Sequence, residues 1–224
     1  MNYSDFLETP LFESIKETEV KEALNILSFR TCSYSKDELI YHEGSYINEM
    51  GIVQSGSLRL ERIDYQGNRN ILAHIEKGQI FAESYAMLKN EPLMIDVVSN
   101  TDCEVLFLNL KKLETTEAMK YQWHSTFIMN LLKISNRKNL ELSKRNFHTF
   151  PRHIRGRVLS YLIAQSRQKK SLQFDIPFNR QQMADYLNLD RSALSNELCK
   201  MRDDGLLLFH KNHFQLLNSN INIL

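Results

Sequence analysis

The sequence has few of the features that mark a secreted, membrane-spanning or disulfide-stabilised protein. Its 224 residues include only three cysteines, Cys32, Cys103 and Cys199, and no CxxC pair. An odd number of widely separated thiols disfavours a disulfide framework. The first residues lack the basic and apolar segments of a signal peptide, and no apolar run reaches membrane-spanning length. These absences predict a cytoplasmic protein without membrane contact.

The chain as a whole also lacks an excess of charge of either sign, but its two parts differ. The formal net charge is +1, yet residues 1–143 carry 15 Lys and Arg against 21 Asp and Glu, a net of −6. Residues 144–224 carry 13 against 6, a net of +7. Only the C-terminal part is therefore expected to face a polyanion such as nucleic acid.

Residues 31–110 have the texture of a small β domain. Short runs of β-forming residues occur at 38–41, 50–54, 58–63, 71–75 and 105–108. Between them lie Gly44, Gly56, Gly67 and Gly78, at spacings of about 11 or 12 residues. Such regular short strands predict a β-sandwich, barrel or roll, with residues 64–68 as a hairpin tip. The preceding residues 5–30 predict one or two short amphipathic helices.

After residue 110 the pattern becomes helical, without glycine or proline before Pro151. Its apolar positions form a wide face, made of Phe127, Ile128, Leu131, Leu132, Ile134 and Leu142. One stripe suffices to cover the β domain, so a second stripe predicts a partner helix, most simply that of a second subunit. A helix fully buried within a monomer is the alternative. Residues 144–151 are predicted to break this helix at a domain boundary.

Residues 178–206 contain two short helical patterns separated by three residues. Asn179 and Asp190 are predicted N-caps, and Gln182 completes a capping box with Asn179. The tight connection at 188–190 and the stop at Gly205 give the spacing of a helix-turn-helix. A helix over 152–168 and a short strand at 174–178 are predicted before it.

Two apolar runs follow, separated by Lys211-Asn212 as in a β-hairpin turn. Helices followed by a hairpin predict the winged form of the DNA-binding motif. Arg191 is expected to contact a base or phosphate, and Ser192, Ser195 and Asn196 to read neighbouring bases. Arg180 or Gln181, together with Lys211 on the wing, are expected to hold phosphates.

This order of elements resembles the Crp/Fnr superfamily of bacterial transcription regulators over essentially the whole chain. The resemblance is carried by Gly44 with the run VQSGSL at 53–58, and by RSALS at 191–195. It implies an α+β fold with an N-terminal β-roll like the cyclic-nucleotide-binding domain, a double-stranded β-helix, over residues 1–110. A long dimerisation helix and hinge over 111–145 and a winged helix-turn-helix over 146–224 would follow. It also implies a homodimer on two-fold symmetric double-stranded DNA, with RNA polymerase as a further partner.

The sensor half departs from the cyclic-nucleotide branch of the family. That branch binds the ribose and cyclic phosphate with a Gly-Glu pair and a later Arg-Ser pair. Here the corresponding residues are Ala82-Glu83 and Leu93-Met94, and a buried phosphate without a guanidinium partner is poorly compensated. Cyclic AMP is therefore disfavoured as the effector. The residues left as candidates for an effector pocket are Phe81, Glu83, Ser84, Tyr85, Leu93 and Met94.

No cofactor is predicted. Three distant cysteines disfavour an iron–sulfur cluster, which needs four ligands, although redox sensing by a single cysteine stays open. His42, His74 and His124 leave haem ligation open.

Two other functions are alternatives. One is a cupin-like metal enzyme built on the β-roll, and the other is a ligand-binding module that no longer binds DNA. The enzyme is disfavoured because His42-Glu43 and His74 are too sparse for a metal site, and no Ser–His–Asp or phosphate-loop signature occurs. We expect a protein that is not an enzyme.

Overall fold

The computed structural model describes residues 9–63, 69–88 and 90–217, so the predicted hairpin tip at 64–68 lies outside the described residues. The chain divides into two compact units, Met1–Ser135 and Asn136–Leu224. Within the described ranges, no helix is both long enough and apolar enough to cross a membrane.

The N-terminal unit is built on two four-stranded antiparallel sheets. Helix α1 spans Glu17–Ile26. The strands that follow are β1 Arg30–Tyr34, β2 Leu39–Tyr41, β3 Glu49–Ser55, β4 Ser57–Ile63, β5 Arg69–Glu76, β6 Ile80–Phe81, β7 Asp96–Ser99 and β8 Cys103–Asn109, with helix α2 at Glu83–Met87. One sheet has the order β1-β8-β3-β6 and the other β2-β7-β4-β5. The predicted β-roll is confirmed, and β1, β6 and β7 are strands that the sequence pattern did not single out.

The central strands of the first sheet, β8 and β3, are buried on both faces. On β3, Met50 and Ile52 pack against α1 and the start of the long helix, whereas Val53 points into the roll. On β8, Leu108 faces the helices and Phe107 faces the interior. Because successive side chains of a strand alternate between faces, two such runs of apolar residues give two core layers.

Helix α3 spans Gln122–Thr149 and follows two 3₁₀ turns, Leu110–Glu114 and Ala118–Lys120. The prediction that residues 144–151 break this helix was wrong for residues 144–149. None of those side chains prevents a helix, and only Pro151 disfavours helical backbone at the residue before it. Near its start, the buried Asn130 amide donates to the carbonyls of Leu11 at 3.1 Å and Glu13 at 2.7 Å.

The C-terminal unit consists of helices around a small sheet. Its elements are α4 Ile154–Lys169, β9 Gln173–Asp175, α5 Arg180–Leu187, α6 Arg191–Asp203, β10 Leu207–His210 and β11 His213–Leu216. The strands form an antiparallel sheet of order β10-β11-β9. A single core cluster joins these elements, with Val158 and Leu162 of α4 packed near Met183 of α5 and Leu198 of α6. The predicted winged helix-turn-helix is confirmed.

Candidate nucleic-acid interface

Both helices of the helix-turn-helix start with the predicted caps. The Asn179 side chain accepts a hydrogen bond from the Gln182 backbone N–H at 2.9 Å, and the Gln182 side chain accepts from the Asn179 N–H at 2.8 Å. The Asp190 carboxylate accepts from the backbone N–H groups of Ser192 at 2.8 Å and Ala193 at 2.9 Å. Hydrogen bonding by the Ser192 hydroxyl, with these N–H groups, lowers the pKa of Asp190. The start of α6 is therefore fixed by its own sequence.

The connection between the helices is short because Asn188 adopts a left-handed backbone conformation, with φ of 54°. Asparagine tolerates this conformation better than most residues. The next residue, Leu189, donates its N–H to the Ala184 carbonyl at 2.9 Å. Two residues later α6 begins at Arg191.

Helix α6 buries one face and leaves the other open. Leu194, Leu198 and Met201 are fully buried. Arg191 and Asn196 lie on the exposed side, and neither side chain makes a hydrogen bond within the part of the chain that the structure describes.

The two predicted serines differ from these residues. The Ser192 hydroxyl bonds to the Asp190 carboxylate, and the half-buried Ser195 hydroxyl donates to the Arg191 carbonyl at 2.9 Å. Their hydroxyl protons are used within the helix, so their oxygens are left to accept hydrogen bonds.

The wing places Lys211 at an exposed turn between β10 and β11, with φ of 54°. Gln181 is exposed at the start of α5, and its amide donates to the Asp185 carboxylate at 2.8 Å. Arg180 lies differently. Its guanidinium carbon sits 5.2 Å from the centre of the Phe209 ring, and burial lowers its pKa. This arginine braces α5 against the wing.

Some of the positive charges of the C-terminal unit form ion pairs within that unit. Arg155 of α4 donates to the Glu197 carboxylate at 2.6 Å and pairs with Asp204 at 2.7 Å, which ties α4 to α6. A sum of charges over the sequence does not distinguish such paired arginines from free ones. Their partners lie some 40 to 50 residues away in sequence, so no local pattern indicated them.

The six candidate effector residues lie in three different environments. Phe81 is buried, with its ring in edge contact with Phe107. Glu83 and Leu93 are also buried. Tyr85 is half-buried, whereas Ser84 and Met94 are exposed, Met94 to 65%.

The position of Phe81 explains why residue 51, which is not one of the turn glycines, is also a glycine. A Cβ atom on Gly51, which pairs with Phe81 across β3 and β6, would overlap the Phe81 ring. Phe81 therefore serves the core of the roll.

Ala82 holds an unusual backbone conformation immediately before α2. Its φ is 63°, a left-handed value that costs a residue with a Cβ atom roughly 1–2 kcal/mol. Glycine occupies the corresponding place in the cyclic-nucleotide pattern. The side chains of Leu93 and Met94 are apolar and carry no cation that could pair with a phosphate.

The histidine and cysteine candidates are dispersed. The His42 ring, 68% exposed, bonds to the Asp96 carboxylate at 2.8 Å, and His124 donates to the Leu113 carbonyl at 2.9 Å. His74 is exposed on β5. Cys103 is buried, which raises its thiol pKa. Among the described residues, no three His, Cys, Asp or Glu side chains are grouped so that they could hold a metal ion.

Comparison with known families gives two matches, in the order of the two units. A family model for the cyclic nucleotide-binding domain matches residues 31–116. A model for the Crp-like helix-turn-helix domain matches residues 156–220. No curated protein sequence gives a match.

Several solved structures share the fold. CprK complexed with OCPA has a TM-score of 0.61 at 12% identity, covering 89% of this chain and 91% of that chain. A mutant of CooA from Carboxydothermus hydrogenoformans has a TM-score of 0.59 at 17% identity, covering 98% and 93%. The Thermus thermophilus catabolite activator protein has a TM-score of 0.50 at 23% identity, covering 93% of each chain. With a β-roll of the cyclic nucleotide-binding type followed by a Crp-like helix-turn-helix, the chain belongs to the Crp/Fnr family of DNA-binding transcription regulators, which are not enzymes.

Proposed function

We propose that the chain acts as a homodimer that binds a two-fold symmetric operator. Paired copies of α6 would enter successive major grooves, roughly 34–36 Å apart, as in other helix-turn-helix dimers. The observation that carries this proposal is the capped start of α6, which presents Arg191 and Asn196 outward beside an exposed wing.

The contacts within each half-site follow from the chemistry of the exposed groups. Arg191 suits a bidentate contact with guanine, and Asn196 suits adenine. Ser192 and Ser195 can accept hydrogen bonds from base amino groups, because their own protons are used within the helix. Gln181 and Lys211 would hold phosphates on either side. Arg180, braced against the wing, is the least free of the predicted phosphate contacts.

The dimer is supported by the exposed apolar stripe on α3. Phe127 and Leu131 are buried within the N-terminal unit, whereas Ile128 and Leu132, also four residues apart, are 38% and 49% exposed. Met129 beside them is 52% exposed. Residues four apart lie on the same helix face, so the open pair forms a second stripe suited to the same stripe of another copy. This favours the partner helix over burial within a monomer.

The signal sensed by the roll is distinct from cyclic AMP in this proposal. Leu93 is buried where the cyclic-nucleotide pattern has its arginine, and a phosphate there would lack compensation. A different small molecule, or a redox signal, would bias the geometry of the reading helices. A contact with RNA polymerase, expected from the family, would then convert DNA binding into regulation.

Selection of duplexes from a random-sequence DNA pool tests this function. The protein is purified from its own host, so that a retained effector stays bound, and its mass is measured under native conditions. We expect a dimer mass and enrichment of inverted repeats with half-sites about one DNA turn apart. A monomer, or selected sequences without inverted symmetry, contradicts the proposal.

A further inference from the structure

The C-terminal end of α5 is held by two arginines that lie outside the helix-turn-helix. Arg145, near the end of α3, donates from Nε to the Tyr186 carbonyl at 2.9 Å and from Nη2 to the Asp185 carbonyl at 2.7 Å. Its guanidinium carbon also lies 5.9 Å from the centre of the Tyr186 ring. The side chain of Arg145 is thereby directed at the end of α5.

Arg157 of α4 takes the next two carbonyls. Its Nη1 atom is 3.4 Å from the Leu187 carbonyl and 3.1 Å from that of Asn188, while its Nε donates to the Pro151 carbonyl at 2.9 Å. Two guanidinium groups therefore engage four successive carbonyls, from residue 185 to residue 188.

The Asp185 carbonyl also accepts from the Asn188 N–H at 3.3 Å, and the three carbonyls after it are groups that a helix cannot satisfy by itself. The last carbonyls of an α-helix have no partner within the helix, and together they carry its negative end. Arginine suits them because its planar fork donates to two oxygens at once. A lysine would supply the charge but not the fork.

These carbonyls lie immediately before the turn that leads into α6. Leu189 follows residues 185–188, whose carbonyls the two arginines engage. Asp190 then caps α6, and Arg191 is its first residue. The place of Arg191 therefore depends on how α5 ends.

We propose that Arg145 is a positioning residue for DNA recognition. By fixing the last carbonyls of α5, it sets the turn at residues 188–190 and so the alignment of Arg191 with the base edges. Arg157 supports the same turn from α4. The inference rests on the function proposed above.

The test compares Arg145→Ala and Arg145→Lys with the control Lys144→Ala. Lys144 is the adjacent basic residue, exposed and paired with Glu141 at 2.7 Å, so its removal changes the charge equally without touching α5. Each full-length variant is titrated with a duplex selected by the parent chain and with an unrelated duplex, over a series of salt concentrations. Thermal unfolding is recorded for each.

In Arg145→Ala, affinity for the selected duplex falls about tenfold, because a misplaced bidentate contact loses much of its discrimination. The affinity of Arg145→Ala for the unrelated duplex and its salt slope stay as in the parent. The affinity of Arg145→Lys for the selected duplex lies between those of the parent and Arg145→Ala. Lys144→Ala keeps the parent's ratio of the two affinities. If Arg145→Ala instead loses affinity equally for both duplexes, and its salt slope is smaller by about one, Arg145 is a phosphate contact and the proposal is overturned. Equal losses that follow a lowered melting temperature overturn it in favour of a purely structural role.

Amide hydrogen exchange of the free protein gives a readout that needs no operator. In Arg145→Ala, the N–H groups of Leu189 and Ser192 lose protection, whereas that of Phe214 in the wing does not. Unchanged exchange at Leu189 contradicts the positioning role even if DNA binding is altered. A parent chain without salt-dependent DNA binding refutes the proposed function instead, and the exchange result still decides whether Arg145 orders the turn.

Discussion

The Nη2 atom of Arg180 donates a hydrogen bond to the carbonyl of Lys211 at 3.3 Å, so the first residue of α5 holds the turn of the wing. The guanidinium of Arg180 also lies near the rings of Phe209 and Phe214. The Lys211 ammonium, by contrast, is exposed at the tip of the same turn. The side chain of Arg180 therefore stabilises the packing of the wing, whereas the side chain of Lys211 is open to solvent.

Substitution of these two residues should separate stability from DNA binding. Arg180→Ala is expected to lower the free energy of unfolding by about 1 kcal/mol, the typical size of one hydrogen bond or cation–π contact, with little change in salt slope. Lys211→Asn, which keeps a residue tolerant of positive φ, should reduce the salt slope by about one and leave stability unchanged. Urea unfolding and DNA titration measure the two effects. The reverse pattern would mean that Arg180 is the phosphate contact.

Leu132→Glu should dissociate the dimer. If each buried leucine contributes about 1.5 to 3 kcal/mol, removal of two from a symmetric interface raises the dissociation constant roughly a hundredfold or more. Lys133→Gln is the matched control, because it makes the same change in charge about 100° around the helix. Sedimentation equilibrium measures both. A Leu132→Glu variant that remains as dimeric as the control places the interface elsewhere.

His148 should make the stability of the C-terminal unit depend on pH. It is buried on α3, with its ring 5.6 Å from that of Tyr161, and burial lowers its pKa. The unfolded chain then takes up a proton below about pH 6.5 while the folded chain resists it, so stability is full above that pH and declines below it. His148→Gln should flatten this decline in urea unfolding. Equal declines in parent and variant would assign the pH dependence to other groups.

The sequence predicted most accurately what depends on neighbouring residues. Asn179 and Asp190 cap their helices as expected, because a cap needs only the three residues that follow it. The hairpin turn at Lys211 was predicted for the same reason. The strands β3, β4, β5 and β8 followed from runs of β-forming residues between glycines.

Contacts between distant segments could not be predicted from such patterns. Arg145 and Arg157 engage carbonyls some 30 to 40 residues away, and a backbone carbonyl leaves no mark in the sequence. Strand β1 contains Arg30 and alternates exposed with half-buried positions, so its pairing with β8 is set by the sheet rather than by its own hydrophobicity. The contacts of Arg180 with Phe209 and Phe214 were likewise not predicted, because they join segments that lie far apart in the sequence.

Helix α6 is proposed to read DNA through Arg191. The most direct measurement is a titration of the selected duplex, at several salt concentrations, with parent protein from its own host and with Arg191→Ala. We expect the logarithm of the parent's affinity to fall linearly and steeply with the logarithm of salt concentration. The variant should remain dimeric and lose about 1–3 kcal/mol of discrimination against unrelated DNA. Equal affinity of parent and variant for the selected duplex, or the absence of salt-dependent binding by the parent, would contradict this account.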